Sequence, residues 1–192
     1  SYTDCDGDGL RAPVAAAVAG GAGLYNRGAI ESGSYQLRVP DACDLEQPLP
    51  VDLDESGKVS VELPAMMPVN PDVTLETIAA TLEIDVATMR DVGADLPIAT
   101  VDAFGGTLLV PVNFLQHVSS ATPEIRALTE LLDTAGVSRV VVFTFDTLGA
   151  QADVHARAFD PRAPGRGVEL AASGVGVGAC VSHLAAESVF DG

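Results

Sequence analysis

Two short glycine-rich stretches carry the residues best suited to chemistry. The first, Asp6-Gly7-Asp8-Gly9-Leu10-Arg11-Ala12-Pro13, runs into the apolar residues Val14 to Val18; the second, Ser173-Gly174-Val175-Gly176-Val177-Gly178, runs into Ala179 to Ala186. Each reads as a turn opening into a helix of small residues. The start of a helix leaves backbone N–H groups without intrahelical acceptors, and the helix dipole adds positive potential there, so such a mouth suits a carboxylate. Glycines let a ligand approach the backbone closely. Gly7, Gly9, Ser173, Gly174 and Val175 are therefore candidate substrate-binding positions. The same amides would stabilise charge developing on a bound carboxylate. Proton transfer needs a side chain, and Asp8, with Asp6 second, is the candidate base. The competing role for Asp6, Asp8 and Ser173 is N-capping of the helix that follows.

A helix built of Ala, Val and Gly on all faces needs enclosure, and a curved sheet around one central helix supplies it. Two such units predict an internal duplication, with two sheet-plus-helix lobes facing each other. The intervening pattern agrees. Tyr35 to Val39 reads as a strand, and Leu49 to Leu53 with Lys58 to Leu63 as a hairpin around Asp54-Glu55-Ser56-Gly57. Pro64, Pro68 and Pro71 break the chain, with Met66-Met67 as linker, so the lobes are placed at 1–70 and 71–192. Thr74 to Leu82 reads as a helix with Thr74 near its N-cap. Thr107 to Val112 reads as a buried strand, and Thr122-Pro123-Glu124 starts a helix running to about Ala135, with Leu128, Leu131 and Leu132 buried. Val137 to Phe145 and Asp153 to Phe159 are the next strands. The fold class is α+β.

Bulk properties exclude several functions. The formal net charge is −17, from 10 basic and 27 acidic residues, and Lys58 is the single lysine. Such a surface repels phosphate backbones and anionic lipids, so neither nucleic acid nor membrane is an expected partner. Scattered acids with almost no lysine suit a halophilic cytoplasm, where charges are screened over about 3 Å at 1 M salt. No run approaches the roughly 18–20 apolar residues of a membrane span, and Ser1 to Asp8 have no signal-peptide character. The expected location is the cytoplasm.

Other candidates are weaker. Cys5, Cys43 and Cys180 are far apart, with no Cys-x-x-Cys and no histidine at metal-ligand spacing, so no metal site is expected. Cys180 reads as a buried small side chain. His117 reads as a rim residue, His155 as half-buried in a strand, and His183 as a packing residue within the last helix. Arg157 has two readings: a partner for a substrate carboxylate, or a salt bridge with Asp153 or Asp160. Gly7-Asp8-Gly9 and Gly174-Val175-Gly176 fall short of a dinucleotide fingerprint, and no nucleophile elbow is present.

The second lobe carries a family resemblance. Val142-Phe143-Thr144, then Arg157-Ala158-Phe159-Asp160-Pro161, then Gly167-Val168-Glu169-Leu170-Ala171-Ala172-Ser173-Gly174 resembles the closing stretch of PhzF (phenazine-biosynthesis-like) proteins. There an R-x-F-x-P strand leads into a G-x-x-E-D-P-A-T-G-S-A loop and a central helix. Asp6-Gly7-Asp8-Gly9 sits where that family has C-G-H-A-T. The resemblance implies the diaminopimelate epimerase-like fold: two pseudo-symmetric lobes, each a curved, mostly antiparallel sheet around a central helix. It further implies a cofactor-free isomerase that moves a proton between carbons of a small carboxylated metabolite, acting in a biosynthetic process.

The signature loops have drifted. The family's His position aligns with Asp8 and its Asp position with Leu170, while Glu169 and Gly174 are retained and Ser173 replaces Thr. Glu169 is expected at the loop edge as an orienting, substrate-binding group. The strand–helix segment holding the family's catalytic Glu would lie before Ser1, so the first lobe is expected to lack opening strands. An open sheet edge of that kind predicts a homodimer or completion by another chain. The neighbouring diaminopimelate epimerases resemble the same loops as C-G-N-G-x-R and C-G-T-G-A, with both catalytic cysteines lost here, to Asp6 and Ser173. Two functions follow: an isomerase or epimerase, or a catalytically silent anion-binding or assembly subunit.

Overall fold

The computed structural model describes residues 33–37, 49–56, 58–61, 63, 66–90, 92, 96–102, 104–149, 152–162, 168–170 and 173–189. The chain divides into two compact units, Ser1–Pro64 and Ala65–Gly192. In the first, β1 (Gly33–Leu37), β2 (Leu49–Leu53) and β3 (Val59–Val61) form an antiparallel sheet in the order β1-β2-β3. Its β2–β3 turn is built on Asp54, whose Oδ1 accepts from the Ser56 amide at 2.9 Å, the Ser56 hydroxyl at 2.6 Å and the Lys58 amide at 2.9 Å. These donors hold the Asp54 carboxyl below its ordinary value. β1 begins two residues earlier than the sequence pattern suggests, because Gly33 pairs with Leu53 at the end of the register.

The second unit is a six-stranded mixed sheet with four helices among its described residues. Its strands are β4 (Pro68–Val69), β5 (Ala99–Val101), β6 (Thr107–Pro111), β7 (Arg139–Thr144), β8 (His155–Phe159) and β9 (Glu169–Leu170), in sequential order across the sheet. Only β6 and β7 run parallel; their crossover carries two helices, α2 (Leu115–Ser120) and α3 (Ile125–Ala135). Helix α1 (Leu75–Leu82) precedes β5, and α4 (Gly174–Ala186) follows β9. The unit starts before the prolines have ended, because Pro68 and Val69 pair with Val101 and Thr100.

Local chemistry sets the helix ends. The Thr74 hydroxyl accepts from the Thr77 amide at 3.2 Å, capping α1 as expected. Helix α3 starts at Ile125 rather than Thr122, because the Glu124 carboxylate takes the N-cap role and accepts from the Ala127 amide at 3.0 Å. It ends at Gly136, where a left-handed φ of 69° lets the Val137 amide fold back to the Leu132 carbonyl at 3.0 Å. Helix α2 has no side-chain cap of its own; its Leu115 amide is taken by the Asp146 carboxylate at 3.1 Å, from the loop after β7.

Strand alternation divides the core. Leu108, Val110, Val140, Val142 and Phe159 face the layer of α1, α2 and α3, and pack with Ile78, Leu82, Val118, Leu128, Leu131 and Leu132. Val141 faces the other way, beneath α4: a Cβ on Gly176 would lie 2.9 Å from Val141 Cγ2. Leu109, Ala99, Ala158 and Leu170 share the cross-strand row of Val141 and so its face. The central strands are thus buried on both faces, which explains their unbroken apolar runs.

On the α4 face the sheet buries one hydroxyl at a loss. Thr107 is fully buried and its Oγ1 has no hydrogen-bond partner. A buried hydroxyl without a partner costs about 1–3 kcal/mol, whereas an isosteric methyl costs nothing in hydrogen bonding. Thr107→Val is therefore expected to stabilise the protein by about 1 kcal/mol, read as a higher denaturant midpoint with an unchanged slope.

Candidate functional site

Of the two glycine-rich stretches, Asp6, Gly7, Asp8 and Gly9 lie outside the described residues; the second stretch is described and differs from a turn. Gly174 to Gly178 are already helix, forming the first turns of α4. Three glycines disfavour a helix by about 1 kcal/mol each relative to alanine, so packing decides here. Gly176 admits the close approach to Val141, and the Ser173 hydroxyl accepts from its amide at 3.0 Å.

Ser173 is thus the N-cap of α4, the role that competes with ligand binding. Its carbonyl accepts from Val177 at 2.9 Å, the first regular bond of the helix. The Gly174 and Val175 amides precede that bond and have no acceptor inside the helix. Gly174 is exposed, and a Cβ added there would meet nothing within 4 Å. The helix start therefore has two amides without an intrahelical acceptor at the positive end of its dipole, with Gly174 exposed.

Glu169 is engaged on the far side of the sheet. It sits opposite Phe159 and Val140, in the row facing α1–α3, while the next residue, Leu170, shares the face of Val141 and α4. Both Glu169 oxygens accept from Arg157, from Nε and Nη2, each at 2.8 Å. Arg157 Nη1 donates to the carbonyls of Val118, Ser119 and Ala121 at 2.8, 3.0 and 2.9 Å, closing the C-terminal end of α2. The guanidinium also lies 4.9 Å from the centre of the Phe159 ring. Hydrogen bonding to Arg157 holds the Glu169 carboxyl below its ordinary value and raises Arg157. Neither reading of Arg157 named this partner: not Asp153 or Asp160, but Glu169, in a fork-to-fork pair. Strand alternation was the signal that could have found it, since Arg157 and Glu169 fall on one face once β8 and β9 are paired.

His183 and His117 are held by structural hydrogen bonds. His183 is fully buried in α4 and its Nε2 donates to the Pro97 carbonyl at 2.9 Å, leaving Nδ1 without a partner. His117, half-buried in α2, is bonded through Nδ1 to Asn113 Oδ1 at 2.7 Å. His155 is half-buried at the start of β8. Cys180 is buried, and burial pushes its thiol up to about 12, so it is not a nucleophile at neutral pH; Cys5 and Cys43 lie outside the described residues. Among the described residues no three His, Cys, Asp or Glu side chains group closely enough to hold a metal ion, and no helix is long and apolar enough to cross a membrane.

The sequence matches no family model, and no curated protein is significantly similar to it. Solved structures do match. A phenazine biosynthesis protein of the PhzF family from Bacillus anthracis superposes with a TM-score of 0.66 at 18% identity, over 84% of this chain and 53% of that one. A predicted epimerase from Pseudomonas aeruginosa gives a TM-score of 0.64 at 17% identity, over 85% and 53%. A PhzF family protein from Enterococcus faecalis gives 0.58 at 17%, over 91% and 56%. The chain spans about half the length of these proteins. The fold of this chain, its mixed sheet and helices in the order described, is that of the PhzF-like proteins.

Proposed function

We propose that the chain is a PhzF-like, cofactor-independent isomerase or epimerase that transfers a proton on a small carboxylated metabolite. The observation that carries this reading is the start of α4: Gly174 and Val175 amides with no acceptor inside the helix, beside an exposed Gly174, in a chain that shares its fold with PhzF family proteins and a predicted epimerase. Those amides would hold the carboxylate and stabilise an enolate-like state as charge gathers on it. In this reading the chain is built as two pseudo-symmetric lobes of the diaminopimelate epimerase type. Asp6-Gly7-Asp8-Gly9 is the counterpart of the α4 mouth, and Asp8, seconded by Asp6, is the base. Ser173 acts through its cap, by fixing the direction of the amides.

A second reading has a specific observation in its favour. Leu170 stands where the family's Asp is expected, and Glu169 already uses both oxygens on Arg157. A mouth that keeps its amides while neither Glu169 nor position 170 offers a free acid fits a silent anion-binding or assembly subunit.

Solvent-deuterium exchange into carboxylate metabolites, followed by mass spectrometry in high salt, separates the two. The isomerase reading expects incorporation that Asp8→Asn reduces by about 100-fold or more, the scale of general-base catalysis. Ligand binding with no incorporation in the wild type would exclude it in favour of the silent subunit.

A further inference from the structure

We infer that Arg157 is a positioning residue, which through Glu169 fixes the place where β9 hands the chain to the start of α4. The pair is anchored at one end only by rigid structure. Arg157 Nη1 is tied to the carbonyls of Val118, Ser119 and Ala121 and the guanidinium rests on Phe159, so its head is fixed by α2 and β8. Its Nε and Nη2 then reach Glu169, in a strand of two residues at the sheet edge.

A two-residue edge strand holds itself weakly. Among the described residues β9 is joined to β8 alone, through the pairs Ala158–Leu170 and Phe159–Glu169. The fork-to-fork ion pair adds two charge-assisted bonds in one plane, which constrain both the distance and the twist of Glu169. Leu170 follows directly on the opposite face, and after two intervening residues Ser173 caps α4. Three residues separate Glu169 from Ser173, so the chain between the clamped carboxylate and the helix cap spans at most about 14 Å, and a displacement at Glu169 is expected to reach Ser173. The direction of the Gly174 and Val175 amides follows from that of Ser173, whose hydroxyl and carbonyl make the first bonds of the helix. Glu169 thus acts on the mouth of α4 from the other side of the sheet, without touching a ligand there.

The decisive variant is Glu169→Gln. It keeps the bonds from Arg157 to α2, so α2 stays in place, and cuts the ion pair to β9. Amide hydrogen exchange on the whole chain is expected to show protection at Leu170 and Gly176 falling by about tenfold, with α2, β6 and β7 unchanged. Arg157→Lys, which retains charge but not the fork, should give the same local loss. Arg90→Lys, at the exposed Arg90–Glu76 pair, is the control and should leave α4 unchanged. Wild-type protection at Leu170 and Gly176 in Glu169→Gln overturns the inference.

A second arm uses malonate as the probe and rests on the proposed reading of the α4 mouth. Well below the unfolding temperature a merely stabilising pair leaves malonate affinity alone, whereas a positioning pair weakens it by about tenfold when cut, and misplacement at a site can cost up to about 100-fold. If wild type binds malonate and Glu169→Gln binds it equally well, the inference fails. If wild type does not bind malonate, the reading of the mouth fails, and hydrogen exchange alone decides the positioning role.

Discussion

Gly106→Ala is expected to destabilise the second unit by about 3 kcal/mol, the sum of two independent costs. Gly106 has a φ of +76°, where an L side chain costs about 1–2 kcal/mol. Its added Cβ would also lie 2.7 Å from Val137 Cγ1, 3.0 Å from Val137 Cβ and 3.2 Å from Val137 Cα. The neighbour cannot yield, because the Val137 amide closes the end of α3 on Leu132 and the Ser138 amide is bonded to Gly105. This is where the parallel strands begin, Thr107 opposite Arg139, so a shift there would move the register of the central pair. Gly136 separates the two costs. It has a φ of +69° but open space where a Cβ would go, so Gly136→Ala should cost only about 1 kcal/mol. Adding Val137→Ala to Gly106→Ala should recover about 1 kcal/mol relative to additivity, since it removes Cγ1 and leaves the backbone cost. Denaturant unfolding of the single and double variants measures all three values; equal losses at Gly106 and Gly136 would contradict the packing argument.

The same segment marks what the sequence reveals and what it hides. Thr107 to Val112 and Val137 to Phe145 were legible as strands because burial on both faces leaves unbroken β-branched runs, and the structure keeps them as Thr107–Pro111 and Arg139–Thr144. Helix α3 was legible from Leu128, Leu131 and Leu132, and α1 from its threonine cap. β4, β5 and β9, of two or three residues each, are too short to have a period and exist by pairing with neighbours distant in sequence. Helix α2 borrows its cap from Asp146, which no local pattern can show. The glycines at 174, 176 and 178 read as a turn because propensity disfavours helix there; the close approach of Gly176 to Val141 overrides that local preference. As for the candidate site, a helix after the second glycine stretch was legible, but its start was expected at Ala179 and lies at Gly174. The engagement of Glu169 was not, since it depends on which face β9 presents once it joins β8.

Arg157→Met should cost about 2–3 kcal/mol, with a pH dependence that identifies the cause. Methionine keeps an unbranched apolar stem against Phe159, so the loss reports the guanidinium rather than packing. Two groups of acceptors are stranded. The carbonyls of Val118 and Ala121 belong to buried residues and each loses a charged donor; the Val118 carbonyl keeps the Ala121 amide at 3.4 Å, so the Ala121 carbonyl bears the larger loss. Glu169 keeps 46% of its side chain in solvent, so it rehydrates and contributes the smaller part. Glu169→Gln alone should accordingly cost about 1 kcal/mol. Because the pair lowers the Glu169 pKa from its ordinary 4.5, its contribution is fully present above that ordinary value. It is lost as the pH falls through the lower, folded value, where the carboxylate is protonated. The stability gap between wild type and Arg157→Met should therefore be constant from neutral pH to about pH 5 and narrow below pH 4.5. It should not close, because the bonds from Arg157 to the three carbonyls do not titrate. High salt should reproduce the narrowing at neutral pH only in part, by screening Glu169 and leaving the carbonyl bonds intact. A gap that vanished in acid would mean that the ion pair alone holds Arg157, and that the closure of α2 contributes nothing to the fold.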